Sequence, residues 1–226
     1  MNHSLAHVLP LVLALSWCAV SSPLPAQQVL FEDKFQQPDG SPPSSEKWDT
    51  ERFKSSATGE RVIRGGALHM ILGAGALIAR TGVQCPAGKA IELSVNIEGA
   101  PPKGSATRIT VGFMLPRRDA EVFLSNRGFV TDSNHLGFNL APKGHEFSKE
   151  AFRALRVGNF GAFRLVWQAG PNDSVFTVWH NDAKLETVRD ATFTDADALY
   201  PYLGYEAGSG GAVYKNFVVR EIPVAK

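Results

Sequence analysis

The chain has 226 residues, 44% of them hydrophobic, with 23 basic and 22 acidic side chains and a formal charge of +1. That size suits one domain with a substantial apolar core. Near-neutral charge, with like charges in runs no longer than pairs such as Arg117-Arg118, argues against a nucleic-acid partner held by bulk electrostatics.

Residues 1–26 contain no Asp, Glu, Lys or Arg. Their apolar centre, Val8 to Val20, is short for a membrane span and is interrupted by Pro10. Ala26 before Gln27-Gln28 reads as the end of a secretory signal. Residues 1–26 are therefore expected to be a leader and 27–226 a single domain, exported to the periplasm or beyond and with no membrane span after cleavage. Loss of the leader removes Cys18 and leaves Cys85 alone, so the core rather than a disulfide must carry the stability. Cys85 lies in a Gln-Cys-Pro-Ala-Gly loop with no neighbouring base to activate it.

From Val29 to Ile222 apolar and polar residues alternate with period two, stretch after stretch, as strands with one buried and one wet face require. In chain order, Val29–Phe35 reads as a first strand, followed by a Pro/Gly/Ser-rich loop over 37–45 and then Trp48. Ala67–Leu72 and Ala76–Ala79 are short strands around a Gly73-Ala-Gly75 turn. Lys89–Glu98 and Ala106–Leu115 are the clearest strands, joined through Gly99-Ala-Pro-Pro-Lys-Gly104. Glu121–Leu124 and His135–Asn139 follow, and Ser148–Val157 is the one segment with helical spacing. Phe163–Gln168 and Val175–His180 form a hairpin, a reversal at Asn181-Asp182 leads into Lys184–Val188, and Val213–Ile222 closes the chain. About a dozen one-sided strands predict an all-β, two-sheet antiparallel sandwich.

Phe31-Glu-Asp-Lys-Phe35 with Trp48, Gly65-Gly-Ala-Leu-His-Met70, the hairpin Phe163–Trp167 with Phe176–Asp182, and Tyr202-Leu-Gly-Tyr205 before the last strand stand in an order that resembles the concanavalin A-like (laminin-G-like) jelly-roll superfamily of lectins and glucanases. The resemblance implies that the first and last strands pair, setting Phe31–Phe35 near Tyr214–Val219. Exported members include glycan-binding modules, laminarinase-like retaining glycosidases and the 3-keto-disaccharide hydrolase-like branch. The retaining enzymes carry Glu-x-Asp-x-x-Glu on one strand, which sets nucleophile and acid on a common face. Glu121-Val-Phe-Leu124 and His135–Asn139 supply no second carboxylate at either spacing. The resemblance implies structural calcium near the paired termini, for which Asp33 or Glu32 would supply the first-strand carboxylate; Lys215-Asn216 opposes a cation in the last strand, so no metal is expected and Asp33 is kept as the weak candidate. His69, His145 and His180 have no zinc-ligand spacing, and no other cofactor is implied.

Alternation assigns Ile91, Leu93, Val95 and Ile97, Ile109, Val111, Phe113 and Leu115, and Leu136, Phe138 and Leu140 to the core. If the central strands are neighbours, Asn96, Arg108, His135 and Asn139 form one polar row, to which Gln168, Trp179 and Tyr205 are added as ligand-binding candidates. Amides, Arg and His suit sugar hydroxyls. For acid–base work the candidates are His135, whose imidazole titrates near neutrality, with Glu92 or Glu206. Two readings follow for a glycan or sugar-containing ligand: an exported, non-catalytic carbohydrate-binding or surface-recognition module, or an exported glycoside-cleaving enzyme of the 3-keto-disaccharide type.

Overall fold

The computed structural model describes residues 27–53, 59–71, 74–98, 108–115, 120–128, 134–141, 161–206 and 211–224. All regular elements among them are strands: β1 (Val29–Asp33), β2 (Trp48–Phe53), β3 (Glu60–Arg64), β4 (Ala67–Ile71), β5 (Gly75–Ala79), β6 (Val83–Gln84), β7 (Lys89–Glu98), β8 (Arg108–Leu115), β9 (Ala120–Gly128), β10 (Asn134–Ala141), β11 (Gly161–Ala169), β12 (Ser174–His180), β13 (Ala183–Asp190), β14 (Ala198–Glu206) and β15 (Gly211–Pro223). The leader and the helical segment at 148–157 lie outside the described residues.

The strands form two antiparallel sheets. Sheet A runs β13-β12-β11-β7-β15-β4-β3, with β1 also paired to β15, and sheet B runs β10-β9-β8-β14-β5-β2, with β6 on β14. The first and last strands meet as the resemblance implies, with Phe31 opposite Val219 and Asp33 opposite Phe217. One apolar interior fills the space between the sheets. Ile91, Leu93, Val95, Ile97, Phe163, Leu165 and Trp167 enter it from sheet A, and Ile109, Val111, Phe113, Leu115, Leu77 and Leu203 from sheet B. The period-two assignment of β7 and β8 therefore holds residue by residue.

Two local devices adjust that period. The β12–β13 reversal sets Asn181 at φ 45° and Asp182 at φ 65°, as a two-residue turn with both central residues left-handed demands. In β15 the register shifts between Lys215 and Val218, and Asn216 sits at φ 52°. This bulge resets the phase, so that Tyr214 and Phe217, three residues apart, both reach the core.

A buried carboxylate ties the sheets together at the chain start. Asp33 of β1, 2% exposed, accepts the Phe35 backbone N–H at 2.9 Å through Oδ1 and the Trp48 indole N–H at 2.7 Å through Oδ2. Trp48 opens β2 in the other sheet, and its ring meets Phe31 and Phe217 edge-on at 5.0 and 5.3 Å. This packing holds Phe35 at a left-handed φ of 54°. Replacing Asp33 with Ala leaves two buried donors without an acceptor, a loss expected to be about 3 kcal/mol, measured as the shift in urea unfolding free energy. In sheet B, Gly204 is required for another reason: a Cβ there would stand 2.6 Å from Thr110 Oγ1 and 3.1 Å from the Gly75 carbonyl. Gly204→Ala is expected to cost about 2 kcal/mol by overpacking on the same measurement.

Candidate functional site

Because the apolar residues of β7 and β8 meet in one interior, their polar residues face away from each other. Glu92, Ser94 and Asn96 line the outer face of sheet A, while Arg108, Thr110 and Gly112 hold outer positions of sheet B. The expectation of one continuous row through Asn96, Arg108, His135 and Asn139 is thereby corrected: Asn96 is on the opposite side of the sandwich from the other three. Gln168 and Trp179, on β11 and β12, belong with Asn96 on sheet A.

The outer face of sheet A is dominated by closed ion pairs. Glu92, 2% exposed, accepts Arg220 Nε at 2.8 Å on Oε1 and stands 3.5 Å from Arg164 Nη1 through Oε2. Arg164 in turn lies 4.5 Å above the Trp179 ring, which occupies one face of the indole with a guanidinium. Lys215 pairs with Glu98 and Arg189 with Asp173. The pairing of Glu92 with His135 as acid and base is also corrected, since β7 and β10 belong to different sheets. Glu92 instead ties β7 to β15 and β11. Asp33 is likewise committed: its oxygens accept Phe35 and Trp48, and Lys47 Nζ stands 3.8 Å from Oδ1. That arrangement makes it an inter-sheet clamp.

Sheet B presents a different outer face. Its register places Glu206 opposite Arg108, Arg108 opposite Arg127, and Arg127 opposite His135, one position from each of β14, β8, β9 and β10. The next row is Gly204, Thr110, Ser125 and Gly137, and the one after it Tyr202, Gly112, Phe123 and Asn139. In the register Tyr205 is opposite Ile109 and Tyr202 opposite Gly112. Toward β5 this face is apolar and closed: Ala76, Ile78, Met114 and Tyr202 form a second buried cluster with Tyr200 against it. The Thr110 hydroxyl is buried among them without a hydrogen-bond partner. Arg127 was not among the sequence candidates, because the alternation of β9 fades after Leu124. Its role in the row follows only from cross-strand register.

At the side of the sandwich, the β1–β2 loop and the edge strands β2 and β3 line a cavity of about 740 Å³. Arg61 of β3 crosses this edge, donating Nε to the Ala74 carbonyl at 2.6 Å and Nη1 to the Thr50 carbonyl. Burial lowers its pKa, and the nearby Glu51 and Asp49 carboxylates oppose that shift. Cys85 is buried, with Sγ 3.3 Å from the Lys89 carbonyl, and burial raises its thiol pKa. No group of three or more potential metal-ligating side chains occurs among the described residues.

No family model and no curated protein matches the chain. Solved structures do. An endo-1,3-β-glucanase from Streptomyces sioyaensis matches with a TM-score of 0.61 at 13% identity, covering 89% of this chain and 99% of the glucanase. A structure from work on endo-acting O-glycanases of the human gut microbiota gives 0.60 at 12% identity, over 88% of this chain and 100% of the other. An alginate lyase in complex with an alginate tetrasaccharide gives 0.53 at 12% identity, over 88% and 98%. The fold is thus the concanavalin A-like jelly roll of these glucanases and lyases.

Two outcomes are expected. Glu92→Gln removes the charge that balances two arginines and should cost about 2 kcal/mol, the figure for a buried pair reduced because both arginines are partly solvated; chemical denaturation measures it. For Cys85, the raised folded-state pKa means that its contribution is complete below the ordinary thiol range and is lost as pH rises through the raised value. In a Cys18→Ser background, unfolding free energy should therefore fall more between pH 7 and pH 10 than in the additional Cys85→Ser variant.

Proposed function

We propose that the protein is an exported, non-catalytic carbohydrate-recognition module that binds a glycan across the outer face of sheet B. The observation that carries this reading is the cross-strand row of Glu206, Arg108, Arg127 and His135. Four neighbouring strands place charged or imidazole residues at one level of the register, and sugar hydroxyls need several donors and acceptors. The outer face of sheet A offers less, because its charges are paired and Trp179 already stacks on Arg164. Proteins of known structure with this fold include a glucanase and an alginate lyase bound to its oligosaccharide, which supports a glycan as ligand.

Binding is favoured over cleavage by the carboxylate pattern. Glu121 of β9 has Phe123 two residues on and Asn126 five residues on, which denies a retaining glycosidase its second carboxylate. Glu206 and His135 share the row but lie three strand spacings apart, about 14 Å between backbones, a wide separation for acid and base acting on one bond. Glycoside cleavage of the 3-keto-disaccharide type is the alternative, and the presence of His135 and Glu206 in one row is what favours it.

A glycan array probed with the protein lacking residues 1–26, with reducing-sugar release assayed on every ligand found, tests the reading. Binding without release is expected, and Arg127→Ala with His135→Ala should weaken it by about tenfold or more, whereas Asn96→Ala with Gln168→Ala should leave it unchanged. Release of reducing sugar would favour the enzyme, and loss of binding only in the sheet A variant would overturn the site.

A further inference from the structure

With residues 1–26 read as a leader, the chain that remains after cleavage opens on Gln27. A glutamine in that place can react with itself. Its α-amine reaches its own side-chain amide carbon and closes a five-membered ring, provided that the fold leaves both groups free.

The structure leaves them free. Gln27 and Gln28 are exposed and precede β1. Gln27 makes no hydrogen bond or ion pair with any described residue. The first tie of the chain to the body lies one residue on, where the Gln28 carbonyl accepts the Glu221 backbone N–H at 2.8 Å. From there β1 pairs with β15, beginning with Val29 opposite Arg220. The anchor thus stands just past the reacting residue. The Gln27 side chain can fold back on its own nitrogen, and the ring breaks no contact of the fold.

Ring closure needs no partner. The unprotonated α-amine, a group that titrates at about 8, attacks Cδ. An N–Cδ bond forms, the Cδ–Nε2 bond breaks, and Nε2 leaves as ammonia with the proton that the amine gives up. Nothing is oxidised or reduced. The product is a neutral lactam, so the chain loses its N-terminal charge and the free amine that aminopeptidases grip. What lies behind it is worth guarding. Trimming inward would pass the exposed Gln28 and Val29 and enter the five-residue strand whose Asp33 accepts the Trp48 indole N–H from the other sheet.

We propose that Gln27 is a modification site at which the exported chain closes its N-terminus as pyroglutamate. The proposal rests on export with cleavage after Ala26, and it does not depend on the glycan face of sheet B.

The full chain, expressed with its own leader in a secreting bacterium, purified and held at neutral pH until its mass no longer changes, tests the proposal by intact and tandem mass spectrometry. The expected species begins at residue 27 and is lighter by one ammonia than a chain with a free Gln27. Leucine aminopeptidase should leave it whole until pyroglutamyl peptidase has removed the cap. In the Gln27→Asn variant the amide could close only a strained four-membered ring, so this variant should keep a free amine and be trimmed. Gln28→Asn should still be capped. A chain that begins at Met1 would overturn the export reading and this site together. A chain that begins at Gln27 with its amine free, one cut at any other residue, or an equally blocked Gln27→Asn variant would overturn the site alone.

Discussion

Two sheets sharing one apolar interior is the constraint on which the rest of the structure depends. Every residue that enters the interior sends its chain neighbours outward, and the sheet to which the strand belongs decides which side of the molecule they reach. Ile91, Leu93 and Val95 enter from sheet A, and Ile109, Val111 and Phe113 from sheet B. Polar residues only a dozen positions apart, Asn96 and Arg108, are thereby separated by the full thickness of the sandwich. The clamp of Asp33 on Trp48 and the crossing of Arg61 to Thr50 and Ala74 hold the two sheets in that relation at one side.

The two outer faces that result are chemically unlike. On sheet A, Arg220, Glu92, Arg164 and Trp179 make a closed strip across four adjacent strands in which each charge already has its partner. Such pairing braces a surface and leaves little for a ligand to satisfy. On sheet B, Arg108 and Arg127 are directly opposed across β8 and β9. In its β5–β14 part Ala76, Ile78, Met114 and Tyr202 are buried together.

Much of the fold was legible because its information is local. Alternation in Lys89–Glu98 and in 108–115 identified strand, core face and outer face together, and Asn181-Asp182 announced its turn. Strands β2 and β3 were missed because Asp49-Thr-Glu-Arg52 and Glu60-Arg61 look like solvated loop, although Arg61 faces an edge where backbone carbonyls replace water. Most of β14 was missed because Pro201 and Gly204 interrupt its pattern; Gly204 is there to clear Thr110 and Gly75. What local pattern could not supply was neighbour order. Alternation is the same whether β7 lies beside β8 or beside β11, so the candidate row joined residues from two sheets and left out Arg127, which only register reveals.

Glycan recognition on sheet B is tested most directly by hydrogen–deuterium exchange, with and without saturating amounts of an oligosaccharide that the protein binds. Slowed exchange in β8, β9 and β10, with β7, β11 and β12 unchanged, is the predicted result. Protection confined to the strands of sheet A would contradict it.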